Sequence, residues 1–222
     1  LGDVYKRQDI ARVAAARDAL PNARLKVDAN MGYTLAGALE ALRKLCEYGI
    51  IYAEQPVASI EDMAALRFAI AKEGLPARIA ADESIRKAED PLKVARANAA
   101  DLMVIKAAPL GGVRRALALV EQAQLPAVVS SALESSVGIG VGASLAASLP
   151  TLRYGCGLGT VSLMAEDVTD EPLIARDGFM DLRAIVPSPQ RLERLATDKQ
   201  TRQWWVERVT ACYGVLERAC GL

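Results

Sequence analysis

The feature that most constrains this chain is a regular alternation of short apolar runs with longer stretches of helical periodicity. Such an alternation is typical of successive βα units in a parallel sheet covered by helices. The length of the unit favours a (β/α)₈ barrel. We predict six strands: Arg24–Asp28, Ile50–Glu54, Ile79–Asp82, Leu102–Lys106, Ala127–Ser130 and roughly Leu152–Cys156.

The intervening segments carry the start and stop signals of helices. Ser59-Ile60-Glu61-Asp62 is a capping-box pattern, which predicts that a helix begins there. Gly49 and Gly74 stand where two of the predicted helices end, as glycine often does. The chain therefore reads as one α/β domain in which each strand is followed by a helix.

Six strands do not close an eight-stranded barrel, so we expect a chain that is incomplete at its N-terminus. Residues 9–20 have helical spacing, and no convincing strand precedes them. We therefore divide the chain into a start whose origin, native or non-native, the sequence leaves open (1–8), a partial barrel (9–186) and a C-terminal helical segment (187–222). In the last segment, Trp204, Trp205, Val209 and Leu216 form an aromatic and aliphatic stripe that we interpret as structural.

Composition excludes several classes of function. Lys plus Arg and Asp plus Glu both number 27, so no net charge attracts nucleic acid or an anionic membrane. The absence of histidine excludes Ser-His and Cys-His nucleophile pairs and His-bound zinc. The four cysteines are widely spaced, and no apolar run is long enough to span a membrane. We expect a cytoplasmic protein whose partner is a small molecule.

Four successive predicted strands end on a charged residue: Asp28, Glu54, Asp82 and Lys106, which we call the strand-end group. The intervals of 26, 28 and 24 positions correspond to one βα unit each. In a barrel of this type the carboxyl ends of the strands meet on one face, where these side chains converge. Three neighbouring carboxylates repel one another unless a cation lies among them, and such oxygen ligands suit Mg²⁺ or Mn²⁺.

Each member of the strand-end group also has a structural interpretation. An acidic residue at a strand end is commonly a helix cap or a solvated loop charge. A lysine that ends a buried strand requires a counter-charge, so Lys106 is either catalytic or one half of a structural ion pair. The joint spacing favours the catalytic interpretation.

Further candidates for substrate contact lie in two loops. Gly111 and Gly112 fit a plain turn as well as a close approach to a ligand. Ser130, Ser131 and Ser135 surround the end of the fifth predicted strand, where hydroxyls and helix N-terminal amides can bind a carboxylate, although helix capping explains them equally well.

The motifs at the strand ends resemble the muconate-lactonizing branch of the enolase superfamily. Within that branch, two further segments look most like the o-succinylbenzoate synthases of menaquinone biosynthesis. The superfamily motifs are Val27-Asp28-Ala29-Asn30, Tyr52-Ala53-Glu54-Gln55-Pro56, Ala81-Asp82-Glu83-Ser84 and Val104-Ile105-Lys106, and the two further segments are Ile105–Val113 and Ser130–Gly138.

The resemblance implies a hydro-lyase that carries out a metal-dependent syn dehydration of 2-succinyl-6-hydroxy-2,4-cyclohexadiene-1-carboxylate to 2-succinylbenzoate. It implies that Asp28, Glu54 and Asp82 hold the Mg²⁺ (or Mn²⁺), and that Lys106 stabilises the anion formed on proton removal. Asn30 and Glu83 match positions that support the metal. Ser130, Ser131 and Ser135 match the region near the succinyl carboxylate.

The resemblance also indicates what this chain lacks. In the family, the base is the second lysine of a Lys-x-Lys motif on an earlier strand that follows an α+β capping domain. No Lys-x-Lys occurs here, and only Lys6-Arg7 stands near the place where that strand would end. We expect this chain by itself to bind metal poorly and to turn over little. The alternatives are an N-succinylamino acid racemase or dipeptide epimerase, and an inactive barrel fragment that acts as a binding module.

Overall fold

The computed structural model describes residues 2–86 and 90–220, and its centre is a parallel sheet. Five strands pair in sequence order, so each neighbour is reached by a helical crossover. The strands are β1 (Val27–Asp28), β2 (Ala53–Glu54), β3 (Ile79–Ala81), β4 (Leu102–Ile105) and β5 (Ala127–Val129). Each lies inside a predicted strand, which confirms the α/β class and the parallel arrangement.

The sixth predicted strand is wrong. Residues 152–156 form no strand, and only Gly157 makes a single parallel bridge, to Ser130. The carbonyls of this segment accept hydrogen bonds from side chains instead: Lys26 Nζ donates to Gly155 at 3.3 Å, and an Arg24 nitrogen donates to Arg153 at 3.4 Å. Two basic side chains of the segment before β1 therefore reach the chain that follows β5.

The helices follow the predicted signals. Ser59 Oγ accepts from the amide of Asp62 at 3.0 Å, and Gly49 and Gly74 end their helices with φ of 65° and 66°. The α-helices are α1 (Gly2–Ala19), α2 (Leu35–Leu45), α3 (Ile60–Glu73), α4 (Asp90–Arg96), α5 (Val113–Ala123), α6 (Ser136–Ser148), α7 (Pro189–Arg194) and α8 (Lys199–Cys220); 3₁₀ turns span Cys46–Tyr48, Glu83–Ile85 and Thr160–Leu163.

Apolar side chains fill both faces of the sheet. One cluster lies between the sheet and the helices and includes Leu42, Met63 and Ile105. A smaller cluster lies on the opposite face, and we call it the inner cluster. It consists of Tyr52, Ala80, Leu102, Val104, Val128 and Tyr154. Because side chains alternate along a strand, residues two positions after members of this inner cluster point to the same side. Glu54, Asp82 and Lys106 are such residues.

Helices form in the segments predicted to be helical near both ends of the chain, 9–20 and 187–222. Helix α1 begins at Gly2, so residues 2–8 continue the helix predicted for 9–20. Leu1 and residues 221 and 222 of the predicted terminal segments lie outside the described residues. On α8, Trp204, Trp205, Val209 and Leu216 are each more than half exposed. No helix in the described part of the chain is long and apolar enough to cross a membrane.

Arg17 attaches α1 to the body of the domain. Its guanidinium donates to the carbonyls of Tyr48 at 2.9 Å, Pro21 at 2.9 Å and Ala23 at 2.8 Å. These carbonyls belong to the 3₁₀ turn after α2 and to the loop before β1. The side chain of Arg17 thus connects α1 to the loop before β1 and to the 3₁₀ turn before β2.

We predict that Arg17→Met lowers the free energy of unfolding by about 2 kcal/mol, because several carbonyls lose a charged donor. Arg12→Met is the matched control on the same helix. Its ion pair with Asp9 is exposed, so we expect a change below about 0.5 kcal/mol. Urea unfolding followed by circular dichroism measures both variants. Equal effects of the two substitutions would contradict the anchoring role of Arg17.

Candidate active site

The fold brings the strand-end group to one end of the parallel sheet. Asp28 and Glu54 are partners in the register of β1 and β2. Asp82 and Lys106 come directly after β3 and β4, which pair in the same direction. The alternation of side chains directs Glu54, Asp82 and Lys106 to the side of the inner cluster. The four predicted residues therefore lie in one region.

Asp82 and Lys106 form a buried ion pair. Lys106 Nζ lies 2.6 Å from both carboxylate oxygens of Asp82. The side chains are only 8% and 14% exposed, respectively, so water screens this contact little. The counter-charge that a buried lysine requires is therefore Asp82.

Burial and mutual repulsion act on the remaining two carboxyls. Burial, followed by the negative charges of Asp28 and Asp82, raises the pKa of Glu54 to about 7. Burial also raises the pKa of Asp28, although a hydrogen bond from the Asn30 amide opposes the shift. Asp28 and Asp82 are therefore close enough to Glu54 to influence its ionisation.

The donor chemistry of this region fits a divalent cation. Burial disfavours the charged forms of Asp28 and Glu54, a bound cation favours them, and hard oxygen ligands suit Mg²⁺ or Mn²⁺. Glu83 adds a buried carboxylate oxygen, Oε2, that has no hydrogen-bond partner. Within residues 2–86 and 90–220, however, no three acidic or cysteine side chains are already gathered as metal ligands. Asp82 turns both of its oxygens toward Lys106 instead.

Asn30 and Glu83 flank the acidic residues, as the motifs predict. The main-chain amide of Asn30 donates to Asp28 Oδ1 at 2.9 Å, and Asn30 has a left-handed φ of 46°. Glu83 opens the 3₁₀ turn after β3, and its Oε1 accepts from Arg86 at 2.9 Å. Asn30 therefore orients a proposed ligand directly, whereas Glu83 contributes a second carboxylate beside Asp82.

The predicted serines are partly engaged by the protein itself. Ser131 Oγ donates to the carbonyl of Gly157 at 3.0 Å and lies 3.1 Å from Thr160 Oγ1. Ser130 Oγ makes a longer bond of 3.4 Å to the same carbonyl. Ser135 is the N-cap residue of α6, and its side chain makes no capping hydrogen bond. These contacts hold residues 157–160 beside the end of β5.

The two predicted glycines form the turn before α5. Gly111 and Gly112 have φ of 85° and 102°, a region in which side chains are strained. Gly112 is also the N-cap residue of α5. The plain-turn interpretation accounts for both residues.

Two buried polar residues near the site were missed in the sequence. Asp167 accepts from the Ser136 amide at 3.1 Å and from the Ser136 hydroxyl. The first amide of α6 is thereby occupied by a side chain of the protein, so it is not a free donor for a substrate carboxylate. Asp167 lies 31 positions from Ser136, and no local pattern marks this pairing.

The second missed residue is Gln55. The sequence places it after Glu54 and before a proline, which favours a polar loop. The structure instead buries Gln55 completely, and its side chain contacts the turn that contains Asp82 and Ser84. A single sequence contains no signal for this contact, because the partners lie 27 and 29 positions away.

Comparison with known proteins places the chain among close relatives of one kind. It is 52% identical over 209 residues to an o-succinylbenzoate synthase of Mycolicibacterium smegmatis, covering 94% of this chain and 63% of that protein. It is 48% identical over 214 residues to an o-succinylbenzoate synthase of Mycobacterium tuberculosis, covering 96% of this chain and 63% of that protein. The chain thus spans about 63% of the length of these relatives.

Solved structures with the same architecture include a muconate lactonizing enzyme from Pseudomonas fluorescens complexed with muconolactone. The TM-score is 0.77 at 30% identity, over 85% of this chain and 53% of that one. A probable mandelate racemase from Alicyclobacillus acidocaldarius has a TM-score of 0.71 at 28% identity, over 85% of this chain and 50% of that one.

The family model described as enolase C-terminal domain-like matches residues 3–187. That match covers all five strands and the complete strand-end group. The predicted resemblance to the enolase superfamily is thereby confirmed, and this chain belongs to the enolase C-terminal domain-like family.

Proposed function

We propose that this chain is the main part of the barrel of an o-succinylbenzoate synthase, a lyase of menaquinone biosynthesis. The reaction is the syn dehydration of 2-succinyl-6-hydroxy-2,4-cyclohexadiene-1-carboxylate to 2-succinylbenzoate. The observation that carries the proposal is the strand-end group at one end of the sheet, in a chain 52% identical to a relative with that name. The first strands of the barrel and a capping domain complete the proposed enzyme.

The proposed cation is Mg²⁺, with Mn²⁺ as an alternative, and Asp28, Glu54 and Asp82 would hold it. Its positive charge would neutralise the substrate carboxylate and favour loss of the adjacent proton. In this proposal Asp82 is shared, because it also contacts Lys106. Asn30 and Glu83 would support the metal ligands from either side.

Lys106 would act on the substrate through its charge. Its ammonium group is buried and fixed by both oxygens of Asp82, so little reorganisation is needed when negative charge develops nearby. The reaction breaks one C–H bond and one C–O bond, and water leaves as the ring becomes aromatic. In the proposed enzyme the proton is taken by the second lysine of a Lys-x-Lys motif, which does not occur among these 222 residues.

We predict that Glu54→Gln weakens Mn²⁺ binding by at least about tenfold, because the variant loses an anionic ligand beside two other carboxyls. Electron paramagnetic resonance of free Mn²⁺ measures the affinity. The control is Glu47→Gln, since Glu47 is exposed and pairs with Lys44 at the surface. Unchanged Mn²⁺ affinity in Glu54→Gln would rule out this residue as a ligand.

We predict that Lys106→Met lowers kcat for the dehydration by about 10²- to 10⁴-fold, because the buried positive charge is lost. Formation of the aromatic product is followed by absorbance, with this chain and with a longer version that supplies the Lys-x-Lys strand and the capping domain of the proposed enzyme. Lys44→Met, at an exposed position, is the control.

Faster turnover of N-succinylamino acids or dipeptides than of the cyclohexadiene would overturn the proposed reaction.

We predict that, in the metal-free protein, Asp28→Asn lowers the pKa of Glu54 from about 7 by removing a neighbouring negative charge. The pKa stays above its ordinary value of 4.5, because burial is the largest cause of the shift. A larger fraction of Glu54 is therefore ionised at pH 6 in the variant. Carbon-13 NMR of the labelled carboxyl measures this titration, and an unchanged midpoint would show that the two carboxyls are not coupled.

A further inference from the structure

Gln55 is a buried amide whose polar atoms are all engaged. Oε1 accepts from the main-chain amides of Asp82 at 3.0 Å and Ser84 at 3.2 Å. Nε2 donates to the carbonyl of Val57 at 2.9 Å and to Ser84 Oγ at 2.7 Å, and it lies 3.0 Å from Met63 Sδ. The orientation of the amide is determined, because a flipped group would face two N–H donors with its own NH₂.

The main chain of Gln55 makes two further connections. Its amide donates to the carbonyl of Ala80 at 2.9 Å, and its carbonyl accepts from the amide of Met31 at 2.7 Å. Met31 belongs to the loop that follows Asp28, and Ala80 belongs to β3. One residue therefore links the ends of the three strands that carry Asp28, Glu54 and Asp82.

The conformation of Gln55 indicates that these bonds are needed. Its φ of 34° lies in the left-handed region, which is unfavourable for a residue with a side chain. Asn30 and Met31, with φ of 46° and 62°, share this conformation across the neighbouring strand end. Surrounding hydrogen bonds must over-determine such backbone, and those of Gln55 do so.

We propose that Gln55 is a positioning residue that sets where the carboxylates of Asp82 and Glu83 lie relative to Glu54 and Lys106. Its side-chain oxygen holds the amides on both sides of Glu83, so the turn is fixed at two points. The proposal deepens the proposed metal-dependent function of the same site and rests on it.

Only an amide of this length can make all of these contacts. Glutamate has the same length but cannot donate to the Val57 carbonyl, and it would add another carboxylate to a region whose acidic pKa values are already raised. Methionine fills the same space but leaves the amides of Asp82 and Ser84 without their acceptor. We therefore expect Gln55→Glu and Gln55→Met to disturb the turn in different ways with the same consequence for the site.

The test separates positioning from general stability. Mn²⁺ affinity is measured by electron paramagnetic resonance for the 222-residue chain, for Gln55→Met and Gln55→Glu, and for Leu66→Ala. Leu66 is a fully buried apolar residue of α3, so its truncation lowers stability without removing a polar contact. We expect at least tenfold weaker Mn²⁺ binding for both Gln55 variants and an affinity close to wild type for Leu66→Ala.

A second readout does not depend on metal. Hydrogen exchange at the amides of Asp82 and Ser84 should accelerate in Gln55→Met relative to the other amides of β3 and its turn, whereas Leu66→Ala should show no such selectivity. Wild-type exchange and wild-type Mn²⁺ affinity in the Gln55 variants would overturn the proposal. Equal loss of affinity in Leu66→Ala would also overturn it, because stability would then be the cause. If the wild-type chain binds no Mn²⁺ while exchange accelerates selectively, the proposed metal site of the 222-residue chain fails but the positioning of the turn is supported.

Discussion

The convergence of partly buried carboxyls at neighbouring strand ends is the constraint on which the site of this domain depends. Parallel pairing directs Asp28, Glu54 and Asp82 to the same end of the sheet, where burial raises the pKa values of Asp28 and Glu54. Lys106 offsets part of that cost through its contact with Asp82. Asp28 and Glu54 remain beside this pair with raised pKa values, and a divalent cation is the group that would stabilise their ionised forms in the proposed enzyme.

The loops at these strand ends hold strained backbone in place with specific hydrogen bonds. Asn30, Met31 and Gln55 all have positive φ, at a cost on the order of 1 to 3 kcal/mol each. The Asn30 amide bonds to Asp28, the Met31 amide bonds to Gln55, and the side chain of Gln55 bonds to the turn after β3. The same bonds that offset the strain also orient the acidic residues, which connects local conformation to the geometry of the site.

Around the end of β5 and the start of α6, polar side chains form hydrogen bonds within the protein. Asp167 occupies the first amide of α6, and Ser131 bonds to residues 157 and 160. The segment after α6, residues 152–160, is therefore attached to the sheet by one bridge and by side-chain contacts, without a regular strand. The sequence suggested that the N-terminal amides of α6 could bind a substrate carboxylate. Because Asp167 already accepts from the first of these amides, fewer N–H donors are left for a substrate.

The sequence by itself determined the five strands, the caps of α3, the glycine stop at Gly49 and the grouping of Asp28, Glu54, Asp82 and Lys106. These features depend on local periodicity and on repeated spacing. Only the tertiary structure decided that Asp82 turns to Lys106, that Gln55 is buried between two strand ends, and that Asp167 caps α6. These contacts join residues 24 to 31 positions apart. Their energy comes from burial and from complementary hydrogen-bonding groups, which no local pattern encodes. For the same reason the predicted sixth strand failed: its carbonyls bond to the side chains of Arg24 and Lys26, which lie 129 positions away in sequence.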